Sequence, residues 1–295
     1  MGKPRIAIIG LGVVGQSIGR LLHQRRFPIA AVTGRSAARV RAALDFIGAG
    51  RAARSPAVAA RSGEVVFLTV PDRMIRPVCE EIAAAKGFRR GAVVIHCAGV
   101  YDASALAPAR DCKARVAALH PLQSFASPEA AVRAMKGTCF TFDGDPEAAP
   151  VAQEIVAALG GRMVRIAPES RPLYHAASCV LSNYVVAVAD LGMIMLELSG
   201  MEKPEAARAA RPLLRGTIEN IEKLGVPAAL TGPIARGDVE TVTRHLAALA
   251  RLPREIRRLY CALGLYTVRV AQRKGTLKSA EALSLVRLLT GPNAQ

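Results

Sequence analysis

The sequence predicts a doubly wound α/β domain followed by an all-helical domain. Strand-like and helix-like apolar patterns alternate through the first half of the chain, which is typical of parallel strands covered by helices on both faces. The strand pattern stops after Ala167, and prolines then separate helical segments up to the end. Since 295 residues exceed one ordinary core, we expect domains at 1–167 and 168–295.

Seven apolar runs account for the expected strands, and five helical patterns lie between them. The runs lie at residues 5–10, 28–33, 64–70, 91–97, 114–119, 138–142 and 162–166. The helical patterns lie at 15–26, 37–46, 74–86, 127–135 and 146–159. A short extra strand is expected after Gly50.

Composition limits the classes of function. A net charge of +17 suggests nucleic-acid binding, but 32 Arg and 8 Lys are spread along the chain without a basic stripe. We therefore expect no nucleic-acid partner, and a general positive field that attracts an anionic cofactor and a small anionic substrate. The six cysteines form no C-x-x-C pair, which favours reduced thiols and argues against a zinc site.

Two features bear on the compartment. The first five residues lead directly into a strand, so we expect no signal peptide and a cytoplasmic location. Residues 176–198 are largely apolar, but Asn183, Asp190 and Glu197 interrupt them, which is unfavourable in a bilayer. We expect no membrane span, and a helix buried in a domain or dimer core instead.

A glycine motif follows the first predicted strand. It has the form G-x-G-x-x-G and comprises Gly10, Leu11, Gly12, Val13, Val14 and Gly15. In this position the first glycine permits a tight turn, the second admits a pyrophosphate and the third lets helix and strand pack closely. The free N–H groups at the helix start then bind phosphate. The motif predicts a dinucleotide-binding Rossmann domain.

The end of the second strand distinguishes between the two nicotinamide cofactors. A carboxylate there would bind a free ribose 2′-hydroxyl, but the sequence has Gly34, Arg35 and Ser36. Arg35 offers a planar pair of donors to a 2′-phosphate, and Ser36 adds a hydroxyl. The sequence therefore favours NADP(H), the alternative being a solvated arginine in a loop.

Two further strand ends face the same edge of the sheet. Val70, Pro71 and Asp72 end one strand, and we expect Asp72 to cap the helix that begins near Met74. The next strand ends with His96, Cys97 and Gly99. His96 either lines the cofactor pocket or is a hydrogen-bonded residue of the core.

Together with three later motifs, these features resemble a known family. The motifs are Leu-His-Pro-Leu-Gln-Ser-Phe at 119–125, Tyr-His-Ala-Ala at 174–177 and Leu-Thr-Gly-Pro-Ile-Ala-Arg-Gly-Asp at 230–238. The chain resembles the bacterial family that joins a Rossmann-like domain to an uncharacterised helical domain, whose members are provisionally named NADP oxidoreductases. Its layout is similar to pyrroline-5-carboxylate reductase, ketopantoate reductase and the 6-phosphogluconate and β-hydroxyacid dehydrogenases.

The resemblance implies a helical domain like the C-terminal domain of 6-phosphogluconate dehydrogenase, which forms a homodimer. It also implies substrate bound between the domains and reduction of a small carbonyl or imine acid. One departure concerns the Lys-x-x-x-Asn pair of ketopantoate reductases and β-hydroxyacid dehydrogenases. If Asn183 is that asparagine, Cys179 occupies the lysine position and His175 is the nearest titratable group.

Polar residues on one helix and one loop are the candidates for substrate contact. Helical spacing places His175, Ser178 and Ser182 on one face, where a substrate or an internal polar network satisfies them. His120, Gln123 and Ser124 follow a strand end, where they contact substrate or brace the loop. Asp238 is expected to cap the helix that starts near Val239, and Arg236 either binds a carboxylate or pairs with Asp238.

The leading hypothesis is a reductase that uses NADPH to reduce a 2-oxo acid or related compound. His175 donates the proton, Asn183 and Ser124 orient the oxygen, and His120 is the alternative donor. Ketopantoate is the first substrate to test, by analogy alone. The rival hypothesis is an NADP-binding sensor without turnover.

Overall fold

A computed structural model describes residues 2–291 of the chain, and their contacts divide into two compact units. The first unit extends to Asn183 and the second begins at Tyr184. This division lies later than the boundary near residue 167 that the sequence suggested. The difference arises because the first helix after the last strand starts with Arg171, whose side chain is fully buried in the first unit.

The first unit contains a seven-stranded sheet. The strands are β1 (Ile6–Ile9), β2 (Ile29–Thr33), β3 (Val65–Leu68), β4 (Val93–His96), β5 (Arg115–Pro121), β6 (Cys139–Gly144) and β7 (Arg162–Arg165). Their order is β2-β1-β3-β4-β5-β6-β7. Every neighbouring pair is parallel except β5 and β6. The extra strand expected after Gly50 is a single parallel bridge from Ala52 to Val32.

The central strands are buried on both faces. β1, β3 and β4 have no exposed residue, as expected for continuous runs of Ile, Val, Ala and Leu in a sheet covered by helices. One apolar cluster lies on each face of the sheet, around Ile8 and Phe67 on one side and around Ile9 and Leu68 on the other. The predicted doubly wound α/β domain is confirmed.

The antiparallel pairing of β6 differs from the all-parallel sheet that the strand and helix alternation suggested. The only α-helix between β5 and β6 is Pro128–Ala134. Its seven residues rise roughly 10 Å, whereas seven residues of β5 extend over roughly 23 Å. So short a helix does not return the chain to the opposite edge of the sheet, and β6 therefore starts where β5 ends.

Eight helices belong to the first unit as far as the structure describes it. They are α1 (Val13–Gln24), α2 (Ala37–Ile47), α3 (Pro56–Ser62), α4 (Ile75–Ala84), α5 (Ala107–Asp111), α6 (Pro128–Ala134), α7 (Ala149–Ala158) and α8 (Arg171–Leu181). The sequence patterns missed α3 and α5, which are short and rich in alanine and so lack a clear apolar period.

The second unit is helical. It comprises α9 (Asn183–Leu198, whose first residue belongs to the first unit), α10 (Lys203–Leu224), α11 (Val226–Ala229), α12 (Val239–Leu249), α13 (Arg254–Lys274) and α14 (Ser279–Thr290). Its core forms between α12, α13 and α14, around Val242, Val268 and Leu285. The predicted all-helical second domain is confirmed.

The apolar helix of the second unit is exposed. The helical run Pro168–Leu198 is long and apolar enough to cross a membrane by length and composition alone, and none of its most apolar window is buried. Of the two covers that the sequence allowed, a core of its own domain does not enclose α9 in the single chain, and a dimer core stays a prediction. The core of this unit lies between α12, α13 and α14, and among the described residues α9 contributes only the partly buried Met195 to it.

Candidate active site

Five neighbouring parallel strands end at one edge of the sheet. In spatial order they are β2, β1, β3, β4 and β5, and each is followed by a loop or turn. Ligands of open parallel sheets bind beyond such carboxyl ends. The residues that follow these five strands therefore form the candidate site.

The turn after β1 can be made only with glycine. Gly10 has a φ of +98°, and a Cβ there would lie 2.6 Å from the carbonyl carbon of Thr69 after β3. A Cβ on Gly15 would lie 2.3 Å from the Gly10 oxygen and 2.5 Å from the Thr69 hydroxyl. That hydroxyl also donates to the Gly10 carbonyl at 2.6 Å. Strand, turn and helix are thus packed as the glycine motif predicts.

The start of α1 presents an open surface. Gly12 is the N-cap residue, no side chain caps the helix and no acid lies in its first turn. A Cβ on Gly12 would have no atom within 4 Å, so space lies in front of the helix. Leu11, Val13 and Val14 complete the turn. Uncapped amides and free space fit the phosphates of a dinucleotide.

The residues expected to select the cofactor follow β2 directly. Gly34 and Arg35 are exposed, and Arg35 makes no ion pair with any described residue. The Ser36 hydroxyl oxygen accepts a hydrogen bond from the Arg39 amide at 3.5 Å and so caps α2. Its own proton remains available to a ligand. The arrangement fits a 2′-phosphate.

One expectation for the turn after β3 is wrong. Asp72 does not cap a helix, because its side chain makes no cap bond and α4 begins only at Ile75. A short 3₁₀ turn, Asp72–Met74, comes before α4 instead. Val70, Pro71 and Asp72 follow the end of β3, with Pro71 and Asp72 exposed.

The side chain of His96 does not line the candidate cofactor site. It is fully buried, its Nε2 bonds to the Asp102 carbonyl at 2.9 Å, and its Nδ1 accepts from the Ala98 amide at 3.2 Å. Burial lowers the pKa of this imidazole, so it is neutral. Of the two interpretations that the sequence allowed, the hydrogen-bonded core residue is correct. Burial also raises the pKa of the neighbouring Cys97 thiol to about 12, which makes the thiol unreactive.

A cavity of about 470 Å³ lies at the end of β5, within the first unit. Its volume suits a small metabolite. It brings together all four residues that the sequence proposed for catalysis. Its lining comprises His120, Leu122, Gln123, Ser124, His175, Ser178, Cys179, Leu181, Ser182 and Asn183.

His120 is held by Tyr174, the first residue of the Tyr-His pair. The Tyr174 hydroxyl lies 2.7 Å from His120 Nδ1, and the two rings meet edge to face. Burial, followed by the charge of Arg171 and the nearby His175 and His96, lowers the pKa of His120 to about 4. Burial also raises the pKa of the Tyr174 hydroxyl. At neutral pH the pair is therefore an uncharged imidazole and a protonated phenol.

His175 lies beside His120 and against the loop after β4. The two imidazoles meet edge to face, 6.2 Å between centroids. A Cβ on Gly99 would lie 2.5 Å from His175 Cδ2 and 3.1 Å from His120 Nε2. Gly99 is therefore needed so that its loop can approach both rings.

A buried ion pair fixes this group of residues. Arg171, at the start of α8, pairs through Nε with Asp143 of β6, and both side chains are almost fully buried. The remaining guanidinium nitrogens donate to four carbonyl oxygens, those of Ala98, Gly99, Ala118 and Thr141. The pair thus joins the loop after β4, strands β5 and β6, and the helix that carries His175.

Sequence reasoning missed this ion pair and the partner of His120. Asp143 carried a signal, because an acid directly after the apolar run 139–142 needs a partner when buried. Nothing local distinguishes Arg171 from the other arginines. Tyr174 belongs to the Tyr-His-Ala-Ala motif, but its partner His120 lies 54 positions away, so no local sequence pattern predicts the contact.

Other polar groups of the cavity have simpler surroundings. Ser178 donates to the Tyr174 carbonyl within its helix, and the Gln123 side chain accepts from the Ser124 amide. Asn183 and Ser124 are exposed at the cavity surface. Among residues 2–291, no group of three or more His, Cys, Asp or Glu is placed to hold a metal ion.

Comparison with known proteins matches both halves of the chain. Residues 2–121 match the Rossmann-like domain, and residues 138–267 match a domain of unknown function, DUF2520. No functionally curated protein matches.

Three solved structures are similar over nearly the whole chain. A Bacteroides fragilis protein provisionally named an NADP oxidoreductase is 20% identical with a TM-score of 0.71, covering 92% of this chain and 98% of that one. Protein TM1727 from Thermotoga maritima is 27% identical with a TM-score of 0.72, covering 92% and 99%. Plasmodium falciparum pyrroline carboxylate reductase, solved with NADP bound, is 13% identical with a TM-score of 0.57, covering 98% and 100%.

The two matched ranges do not overlap. The first covers strands β1 to β5, and the second runs from β6 into α13. They agree with the resemblance drawn from the motifs. This chain therefore carries a Rossmann-like domain followed by a DUF2520 domain.

Proposed function

We propose that this protein is an NADPH-dependent reductase of the carbonyl or imine carbon of a small carboxylic acid. One observation carries the proposal: two imidazoles, a serine and an asparagine line one cavity at the sheet edge where the glycine turn also lies. Such an arrangement combines a cofactor site with groups suited to proton transfer.

The cofactor proposal rests on the turn after β1 and the end of β2. The amides at the start of α1 hold the pyrophosphate, and Arg35 with Ser36 holds the 2′-phosphate. When bound, NADPH supplies a hydride. A Bacteroides fragilis neighbour named as an NADP oxidoreductase and a Plasmodium falciparum reductase with NADP bound support this choice.

The cavity residues have distinct roles in the proposal. His175 donates the proton to the substrate oxygen or nitrogen, because it lines the cavity and an imidazole can act as a general acid. His120 is uncharged at that pH, and with Tyr174 donating to Nδ1 its Nε2–H is a neutral hydrogen-bond donor. Asn183 and Ser124 orient the substrate.

Turnover of NADPH with a panel of acids tests the proposal. The panel includes ketopantoate, pyrroline-5-carboxylate, prephenate-like acids and imines. Once a substrate is found, His175→Ala should lower kcat about a hundred- to ten-thousand-fold and leave NADPH affinity nearly unchanged. His245→Ala is the control, because it removes another half-buried imidazole that lies on α12 of the helical unit and does not line this cavity.

Asn183→Ala should act on the same step and be less than additive with His175→Ala, since residues that work together do not contribute independently. A folded His175→Ala protein with full turnover would contradict the assignment and move the donor role to His120. Tight NADPH binding without turnover on any acid would favour a sensor.

A further inference from the structure

A second cavity, of about 480 Å³, lies within the helical unit and is positively charged. It forms between the loop 230–236 and the end of α13. Two cations, Arg236 and Lys274, line it together with Thr231 and Thr276. The lining, which lies wholly within the described residues, contains no carboxylate.

Arg236 forms no ion pair with any described residue, although its charge is, after the hydrogen bonds from Thr241, one of several causes that lower the pKa of Asp238. Among residues 2–291, no carboxylate lies within ion-pair distance of its guanidinium. The ion pair with Asp238 that the sequence allowed does not form. Both oxygens of Asp238 are taken by Thr241, one by its amide at 2.9 Å and one by its hydroxyl at 2.6 Å. Asp238 thus caps α12, as predicted.

Lys274 holds a second charge at a fixed position. Its ammonium donates to the carbonyl oxygens of Ala228 at 3.1 Å and Leu230 at 2.7 Å. An ammonium has three donors, so one remains for a ligand.

The loop that carries Arg236 is rigid. Its backbone closes on itself through bonds from the amides of Arg236, Gly237 and Asp238, and the hydroxyl of Thr276, in the turn after α13, donates to the Ala235 carbonyl. Gly237 has a φ of +71°, and a Cβ there would lie 2.4 Å from Glu281 Oε2. Glu281 is the acid that faces this loop from α14, and it accepts from the Lys278 amide outside the cavity lining. A fixed loop lowers the entropic cost of binding.

We propose that this cavity binds a small oxyanion, a carboxylate or phosphate group, between Arg236 and Lys274. The guanidinium donates two parallel hydrogen bonds to two oxygens of the anion. The remaining N–H group of Lys274 donates a third hydrogen bond to an oxygen of the same anion. No described residue lines both this cavity and the cavity at the end of β5, and the proposal goes beyond the proposed reductase activity.

Nuclear magnetic resonance of the full chain tests the site without a known substrate. The protein is titrated with inorganic phosphate and, separately, with malonate, at constant ionic strength set with chloride. We expect saturable shifts at Thr231, Gly232 and Thr276, and the anion that binds more tightly indicates whether phosphate or carboxylate is preferred. Arg236→Gln should weaken binding about tenfold or more.

Two further variants make the result decisive. Arg236→Lys keeps the charge but loses the paired donors, so its affinity should lie between wild type and Arg236→Gln. Arg244→Gln, which removes an exposed arginine of α12 paired with Glu240, should bind as wild type. Unchanged affinity in folded Arg236→Gln, shifts confined to residues 10–15, or equal shifts with added chloride would each overturn the proposal.

Discussion

At the scale of single residues, we propose that Arg35 decides the preference for NADPH. It is exposed directly after β2, where an acid would favour NADH. Arg35→Ala removes a charge-assisted pair of bonds and should weaken NADPH binding by about ten- to a hundred-fold, with little change for NADH. Calorimetric titration of both cofactors measures this difference.

Arg41→Ala is the matched control, because Arg41 is also exposed and lies on α2. It should leave both affinities as in wild type. Equal losses for NADPH and NADH in Arg35→Ala, or tighter NADH binding by wild type, would contradict the role of Arg35.

Residues of the site could be predicted where a short motif carried the signal. The glycines at 10 and 15 depend on close contacts that any strand, turn and helix of this kind impose. His120 and His175 were proposed from a strand end and a helix face, and the structure places them side by side. The hydrogen bonds of His96 to backbone atoms could not be predicted from the sequence, because they depend on the conformation of the loop after β4.

At the scale of elements, the buried Arg171–Asp143 pair holds α8 against β5 and β6. Arg171→Met leaves a buried carboxylate without its partner and removes donors from four carbonyls. The free energy of unfolding should fall by about 3–5 kcal/mol. Urea denaturation followed by circular dichroism measures the change.

The surface pair of Arg110 and Asp145 is the control for this experiment. Its arginine side chain is 43% exposed, so Arg110→Met should cost about 1 kcal/mol or less. Combining Arg171→Met with Asp143→Asn should be less than additive, because the second change removes the unpaired charge. If Arg171→Met were no more destabilising than Arg110→Met, the proposed role of the ion pair would be wrong.

Elements with a strong apolar period could be predicted from the sequence, whereas elements with a weak apolar period could not. All seven strands lie where the apolar runs placed them. The central strands were the clearest, because strands buried on both faces need continuous apolar residues. The direction of β6 was not predictable from its residues, since it depends on how far the preceding connection carries the chain. The exposure of α9 was missed for a similar reason, because apolar composition does not specify what covers a helix.

At the scale of the whole molecule, we propose a homodimer built on the helical unit. Large apolar side chains of three helices are exposed, among them Val186 of α9 at 69%, Leu213 of α10 at 72% and Tyr266 of α13 at 58%. Many large exposed apolar side chains on a single chain favour an interface. The charged residues Asp190 and Glu197 within α9 favour a protein partner over a bilayer.

Light scattering should give twice the chain mass of 31.1 kDa at micromolar concentrations. Val186→Glu and Leu213→Glu should shift the protein toward monomer, because each buries a charge in the proposed interface. Val164→Glu, at an exposed position of β7, should remain dimeric. A monomeric wild-type chain, or one that floats with lipid vesicles, would contradict the dimer.

The central claim is that this fold transfers hydride from NADPH to a small acid, and isotope transfer tests it most directly. The protein is incubated with NADPH that carries deuterium at the reactive carbon and with the panel of carbonyl and imine acids. We expect mass spectrometry to find one deuterium in the reduced acid, and to find it strongly diminished with His175→Ala. Tight NADPH binding with no deuterium in any product across the panel would contradict the claim.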